Sequence, residues 1–354
     1  MLAFNQDKAE QFSQHLLLLL NHAALALMIS IGHRSKLFDV MSTMDAANSE
    51  TIAQNANLNE RYVREWLNAM VTGGIIDYDT QQKLYSLPAE HAAFLTRAAS
   101  PNNIAVIAQF IPILANVEDL ILNAFIHGGG VPYEAYHRFH SVMAEQSGQT
   151  IYLALLDKII PLVNGLREQL QQGIKVLDIG CGYGRALSLM AENFPNSQFY
   201  GFDLCEETID HANALALQKG LTNLHFMRRD LAKWHEQNQY DLITSFDVIH
   251  DQAHPKDVLK AVYEALKPQG VFLMQDIKTS SQVEKNTNHP IAPLIYTISC
   301  LHCMTVSLSQ NGAGLGAAWG EELAEEMLKD AGFTQIEKSY LEHDIMNTYY
   351  IVHK

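Results

Sequence analysis

Cysteine is scarce in this chain: four residues, Cys181, Cys205, Cys300 and Cys303, in a length of 354. That excludes a disulfide framework, and free thiols suit a reducing cytoplasm. Basic residues are also few. Lysine and arginine number 24 against 39 aspartates and glutamates, for a formal charge of −15. Phosphate recognition needs clustered Lys and Arg, so the balance argues against a nucleic-acid partner and against an anionic membrane surface. The first fifteen residues hold one lysine, Lys8, beside Asp7 and Glu10, whereas a secretory signal starts positive. The apolar run from Leu16 to Ile31 covers 16 residues and contains Asn21 and His22. A bilayer span needs roughly 20 apolar residues. We therefore expect a buried core or subunit-interface helix there, no membrane partner, and a cytoplasmic protein. Internal repeats and low-complexity tracts are absent.

What is present is ample core material, 48% of residues being hydrophobic. The length favours two domains over one, at roughly 100–200 residues each. The pattern changes near residue 173. Helical periodicity dominates before it; short β-rich runs alternate with amphipathic stretches after it, the pattern of a parallel α/β sheet. We divide the chain into a helical and winged-helix domain (1–100), a helical linker contributing to a substrate cavity (101–172), and an α/β domain (173–354) with an insertion at 278–320.

Residues 48–87 read as helix, helix, hairpin. Asn48 or Ser49 caps the first helix and Asn59 the second, which carries Val63, Trp66, Leu67 and Met70 on one face. Gly73 and Gly74 end it. IIDY and KLYSL follow as two short strands around DTQQ. This is a winged-helix pattern, so DNA binding is one reading. Its charges oppose that: Arg61, Arg64 and Lys83 stand against Glu50, Glu60, Glu65, Asp77 and Asp79, a net −2. A structural or dimerising role is the other reading. Beyond a break at HGGGVP (127–132), Tyr133, Tyr136, His137, Phe139, His140 and Met143 recur at helical spacing. They pack a core or line a cavity; Tyr136, His137 and Met143 are our candidates for substrate contact.

The strongest signal lies at 174–203. IKVLDIG reads as a buried strand running into Asp178-Ile-Gly180-Cys181-Gly182-Tyr-Gly184 and a helix starting near Arg185. Glycines here admit a ligand close to the backbone, and the helix N-terminus offers free N–H groups. A second strand, SQFYGFDL, ends in Asp203, 21 residues after Gly182. An acid at that point is placed for the hydroxyls of a ribose. The dinucleotide pattern G-x-G-x-x-G fails, since its third glycine falls on Arg185 or Leu187.

The pattern present, D-x-G-x-G-x-G, resembles motif I of class I S-adenosylmethionine (SAM) methyltransferases. The order of later segments is similar too: NLHFMRRDL (223–231), YDLITSFDVIHD (240–251), a helix from Pro255, a K-P-Q-G turn and the strand GVFLMQDI, then EELAEEMLKDAGF and two closing strands. The resemblance implies a Rossmann-like seven-stranded sheet with one antiparallel strand, and SAM as cofactor with S-adenosylhomocysteine (SAH) as product. It implies a cofactor site of Asp178, Gly180, Cys181, Gly182, Gly184, Asp203 with Leu204, Asp230 at the adenine amino group with Leu231 against the ring, and the carbonyl of Phe246. Asp178 either contacts the amino group through a water or organises the loop. With the winged helix added, the chain resembles the small-molecule O-methyltransferases, and HDQAHP, NHP, HCM and GLGAAWG mark a bacterial branch. In those enzymes a histidine after the fourth strand deprotonates the acceptor. His250 occupies that place, with Gln252 where the family has tryptophan. Its alternative role is packing beside the methionine part of SAM. The family also implies a homodimer.

The segment 278–320 sits at the edge where such folds bind substrates. We read it as a helix-containing lid and take Tyr296, His302, Met304 and Trp319 as acceptor contacts, with plain packing as the alternative. Cys300-x-x-Cys303 lacks the companion ligands of a structural metal site, so no metal is expected. The expected activity is methyl transfer to a small aromatic or apolar acceptor, at oxygen first. N-, C- or S-methylation, or a winged-helix regulator sensing SAM or another ligand, are the alternatives.

Overall fold

The computed structural model describes residues 4–354. Contacts divide the chain into two units, Met1–Pro112 and Ile113–Lys354.

In the first unit, α1 (Gln6–Arg34) starts at Asn5, whose side chain accepts from Lys8 N. α2 (Leu37–Met41), α3 (Ser49–Ala56) and α4 (Glu60–Thr72) follow. Asn48 caps α3 and Asn59 caps α4, each side chain accepting a backbone N–H of the first turn. The expected face of α4 is the core: Val63, Trp66, Leu67 and Met70 are buried against Phe38 and Ile52. Trp66 Nε1 donates to the Met28 carbonyl at 2.8 Å, which fastens α1 to this core. Gly73 is the C-cap, but the left-handed residue is Gly74, at φ 69°. The hairpin is β1 (Asp77–Asp79) and β2 (Leu84–Ser86), followed by α5 (Ala89–Leu95).

α1 contains the whole apolar run, and Leu16 to Leu20 are exposed, which corrects the buried-core reading of that run but not the subunit-interface one. Five consecutive leucines point all round a helix, so no single neighbour can cover them. By length and composition alone, α1 and the stretch 292–309 are long and apolar enough to cross a membrane.

The second unit begins halfway along α6 (Phe110–Ala115) and continues with α7 (Glu118–His127) and α8 (Phe139–Ser147). Irregular helical turns lead to α9 (Leu166–Gln172). The sheet strands are β3 (Lys175–Ile179), β4 (Gln198–Asp203), β5 (Leu224–Arg228), β6 (Tyr240–Phe246), β7 (Leu266–Ile277), β8 (Gln335–Ser339) and β9 (Asn347–His353). Their order is β5-β4-β3-β6-β7-β9-β8, parallel except for β9. This is the expected seven-stranded Rossmann-like sheet. Alternation along β3 fills two cores: Leu177 and Ile179 face one layer, Val176 the other. α10 (Arg185–Asn193), α11 (Glu206–Gln218) and α12 (Pro255–Ala265) are the crossovers. K-P-Q-G forms no separate turn before β7. It lies inside the strand as a register shift opposite Tyr240 and Leu242, with Gln269 at φ 68°.

Between β7 and α16 (Glu321–Asp330) the chain forms α13 (Val283–Asn286), α14 (Ala292–Ile298), a wide turn at Ser299–Cys303, and α15 (Met304–Ser309). This insertion is tied to the loop after β6: Gly316 N donates to the His250 carbonyl and Ser307 Oγ to the Gln252 carbonyl. HGGGVP packs on it as well. A Cβ on Gly130 would lie 2.0 Å from the Thr305 carbonyl oxygen, so only glycine fits that approach.

Candidate functional site

The parallel strands deliver their C-terminal ends to one edge of the sheet, and the site is built there. After β3 the chain passes through Gly180, Gly182 and Gly184 at φ 65°, 51° and 68°. A Cβ on Gly180 would strike Val248 at 2.5 Å, and one on Gly184 would strike Phe226 at 2.3 Å. At Gly182 a Cβ would meet nothing within 4 Å, so that face of the loop opens to space a ligand can fill.

Asp203 ends β4 beside this loop. One carboxylate oxygen accepts from Gly182 N and the other from Cys205 N, both at 2.9 Å. A carboxylate has about four acceptor sites, so capacity remains for two hydroxyls. Asp178 lies beneath the loop. It is buried, accepts from Thr244 Oγ1 at 2.7 Å, and burial pushes it up to about 7. Burial likewise raises the Cys181 thiol.

The loop after β6 starts at Asp247, left-handed at φ 58°, a conformation that aspartate tolerates better than most side chains. It carries Val248 to Gly180 and His250 to the end of β7. There His250 Nδ1 lies 2.7 Å from Asp276 Oδ1, and both side chains are buried. The same oxygen accepts from Trp319 Nε1 at 3.0 Å and Ile277 N at 2.8 Å. A carboxylate at Nδ1 fixes the proton there and leaves Nε2 for chemistry. Burial by itself disfavours the imidazolium. Asp276, with Cys303 also beside the ring, outweighs burial and holds His250 well above the ordinary histidine range. Burial pushes Asp247 to about 7 and Asp251 to about 6.

Unpartnered buried polar atoms gather at this edge. Ser245 Oγ, Gln275 Oε1, Asp276 Oδ2 and both ring nitrogens of His302 have no hydrogen-bond partner among the described residues. Such atoms are rare in folded proteins and mark places where a further group is to be bound.

A wall of rings extends from the glycine loop into the insertion. Tyr183 lies 6.4 Å from His140, His140 stacks on Tyr133 at 4.7 Å, and Tyr133 meets His302 edge-on at 5.1 Å. Phe139 stacks on His302 at 3.6 Å, and the Tyr136 hydroxyl donates to the Leu301 carbonyl at 2.5 Å.

Gly180, Cys181, Gly182, Gly184 and Asp203 thus stand together, with Asp178 beneath them and Val248 linking them to His250. Tyr136 and His302 join the ring wall. Asp230 pairs with Lys233 at 2.8 Å and caps its own turn. Leu231 is in the core and Leu204 is exposed. Phe246 is half-buried at the end of β6, where its side chain packs on the core. His137 is exposed; Met143 and Met304 are half-buried. The Tyr296 hydroxyl accepts from Asn286, and Trp319 stands behind Asp276. Cys300 and Cys303 are free thiols. Our reading of the sequence missed Asp276, whose signal was its place at the end of the fifth parallel strand. Tyr133, Phe139 and His140, which the sequence placed among residues that pack a core or line a cavity, belong to this wall without having been singled out as acceptor contacts.

Two family models match the chain: a Rv2258c-like winged HTH domain over residues 23–97 and a methyltransferase domain over residues 170–332. The chain therefore carries a winged-HTH domain followed by a methyltransferase domain. The methyltransferase fold has solved counterparts over nearly the whole length. A putative O-methyltransferase from Nostoc punctiforme superposes with a TM-score of 0.73 at 20% identity, covering 96% of this chain and 98% of its own. A mitomycin 7-O-methyltransferase gives 0.72 at 15%, covering 99% and 100%. Human N-acetylserotonin methyltransferase, solved with SAM, gives 0.68 at 14%, covering 100% and 99%. Among curated relatives, the ubiquinone biosynthesis O-methyltransferase of Leptothrix cholodnii is 31% identical over 28% of this chain and 43% of its own length. The (S)-coclaurine N-methyltransferase of Papaver somniferum is 26% identical over 31% and 32%. The chain spans about a third to a half of the length of the curated relatives it matches.

Proposed function

We propose that this methyltransferase uses SAM to methylate a hydroxyl of a small, flat, uncharged acceptor, with His250 as the general base and Asp276 as its orienting partner. The buried His250–Asp276 pair carries the reading, because a bare alkylation site needs no base held by a carboxylate. The glycine cradle, open at Gly182, and the spare acceptor capacity of Asp203 fit the adenosine part of the cofactor. Asp178, Asp247 and Asp251 fit a cationic ligand, since a positive charge beside them compensates their burial. SAM, when bound, supplies a methyl already activated on a sulfonium and one positive charge.

The chain's own work is positioning and proton removal. The ring wall excludes water and aligns a flat acceptor; orientation of this kind contributes up to about 7–11 kcal/mol in the best intramolecular models. Nε2 of His250 takes the hydroxyl proton. A phenol titrates near about 10 and an ordinary imidazole near about 6.5, a mismatch that Asp276 narrows by favouring the imidazolium. General-base catalysis is typically worth about 10²–10⁴-fold.

The poppy relative, named as an N-methyltransferase, supports a second reading in which the acceptor atom is nitrogen. Labelled methyl transfer to a panel of hydroxyarenes and their amino analogues separates the two. O-methyl products that largely vanish in His250→Ala, at unchanged SAH affinity, support the first; amine products or an unaffected rate reject it.

The proposal includes a homodimer built on the exposed leucines of α1, no membrane partner, and a cytoplasmic setting. It includes no nucleic-acid partner. In support, Arg61 and Arg64 of the winged helix pair with Glu65 and Glu60 of their own helix. A DNA-binding regulator predicts retention that falls steeply with salt.

A further inference from the structure

His302 is an unusual side chain. It is 1% exposed, yet neither ring nitrogen has a hydrogen-bond partner among the described residues. Phe139 covers one of its faces at 3.6 Å, parallel within 6°. Tyr133 and Tyr136 meet it edge-on at 5.1 and 4.6 Å. A buried histidine of purely structural purpose ordinarily binds a carbonyl, a carboxylate or a hydroxyl. The Tyr136 hydroxyl is close by but donates to the Leu301 carbonyl instead. The ring stands one residue before Cys303, which flanks His250, and closes the wall that starts at Tyr183 in the glycine loop.

We propose that His302 recognises a second polar group on the acceptor, a neutral hydroxyl on the same aromatic framework as the hydroxyl that His250 deprotonates. This rests on the methyltransferase reading above and adds the acceptor's substitution pattern. Burial, with His250 and His140 nearby, pushes His302 down to about 3, so its ring is uncharged. A neutral imidazole has one donor and one acceptor nitrogen. A hydroxyl can answer either. A carboxylate or phosphate would accept from the N–H of a neutral ring with no imidazolium charge to offset its own burial. The acceptor class is therefore a polyhydroxylated arene, not a simple phenol or an aromatic acid.

Sites built to bind a hydroxyl discriminate strongly against analogues lacking it, because their own polar atoms are then left buried and unmet. The test uses SAH-loaded protein, with 1-naphthol and the 1,x-dihydroxynaphthalene isomers as probes, binding read by calorimetry. At least one diol is expected to bind about 10–100-fold more tightly than 1-naphthol. In His302→Phe, which keeps the stack on Phe139, that ratio should fall to near one. His302→Leu gives the same comparison if the first variant does not fold. With nitrogen-labelled histidine, the His302 ring nitrogens should shift much further on adding the diol than on adding 1-naphthol. A purely structural histidine predicts neither change. If SAH binds and no diol outbinds 1-naphthol, or the ratio survives in both variants, the inference is overturned and the methyltransferase reading stands. Failure of the wild-type protein to bind SAH overturns that reading as well.

Discussion

Replacing Asp276 with asparagine removes one charge and almost no volume. The oxygen that accepts from Trp319 Nε1 and Ile277 N can remain as the amide carbonyl, so local packing is retained. The same oxygen also meets His250 Nδ1, at 2.7 Å in the native protein, so what changes is the negative charge on that bond. A hydrogen bond to a charged partner contributes about 1.5–3 kcal/mol, a factor of roughly 10–150 when it acts mainly in the transition state. Asp276→Asn should therefore lower kcat/KM by about 10–150-fold, at most what His250→Ala removes, about 10²–10⁴-fold. The pH profile should move as well. Burial pushes the His250 proton off and Asp276 holds it on; with the carboxylate gone, burial dominates and the titration moves to lower pH. Since the base works when neutral, the acidic limb of the rate profile should shift toward acid while the plateau drops. The assay is kcat/KM against pH, with SAH affinity as the control. A variant within twofold of wild type, with its limb unmoved, would refute the role given to the pair.

Other outcomes follow from the same geometry. Gly182→Ala meets no protein atom, so it should lose only about 1–2 kcal/mol for its left-handed backbone, yet bind SAH more than tenfold more weakly by calorimetry. Gly180→Ala, aimed at Val248, should instead lower the melting temperature visibly. The ligand-free protein should lose stability as pH rises from about 4 to 7. Asp178, Asp247 and Asp251 titrate near 3.8 when unfolded and at about 7, 7 and 6 when folded, so folding takes up protons across that window. The raised His250 acts in the same sense, its contribution fading as pH passes its folded value. Melting temperatures that stay flat or climb from pH 5 to 8 would contradict this, and the increment given by SAM should be larger at pH 8 than at pH 5. Light scattering should find a dimer that Leu17→Glu with Leu20→Glu disrupts; a monomeric wild type would end that proposal.

Much of this was legible in the sequence, for reasons that differ by residue. Asp203 and the glycines stood out because a backbone that approaches a ligand tolerates few residue types. Strand order followed from alternating β and α segments, and Asn48 and Asn59 marked helix starts because their side chains cap locally. Asp276 was hidden inside an apolar strand, GVFLMQDI, and becomes meaningful only when β6 and β7 lie side by side. The bond from Trp319 to that carboxylate, 43 residues earlier in the chain, was likewise beyond what spacing encodes. His302 was identified by type; its unmet nitrogens depend on what the insertion does not supply, which spacing does not encode. For α1 the sequence left a core and a subunit-interface reading open, because buried runs and surfaces reserved for a partner share the same apolar composition.

The most direct test is methyl transfer from isotope-labelled SAM to the dihydroxynaphthalenes, comparing wild type with His250→Ala and locating the label by NMR. The account predicts a labelled O-methyl product from the wild type, and a yield reduced by about 10²–10⁴-fold in the variant while SAH still binds. Label on carbon, or equal turnover by the two proteins, would contradict it.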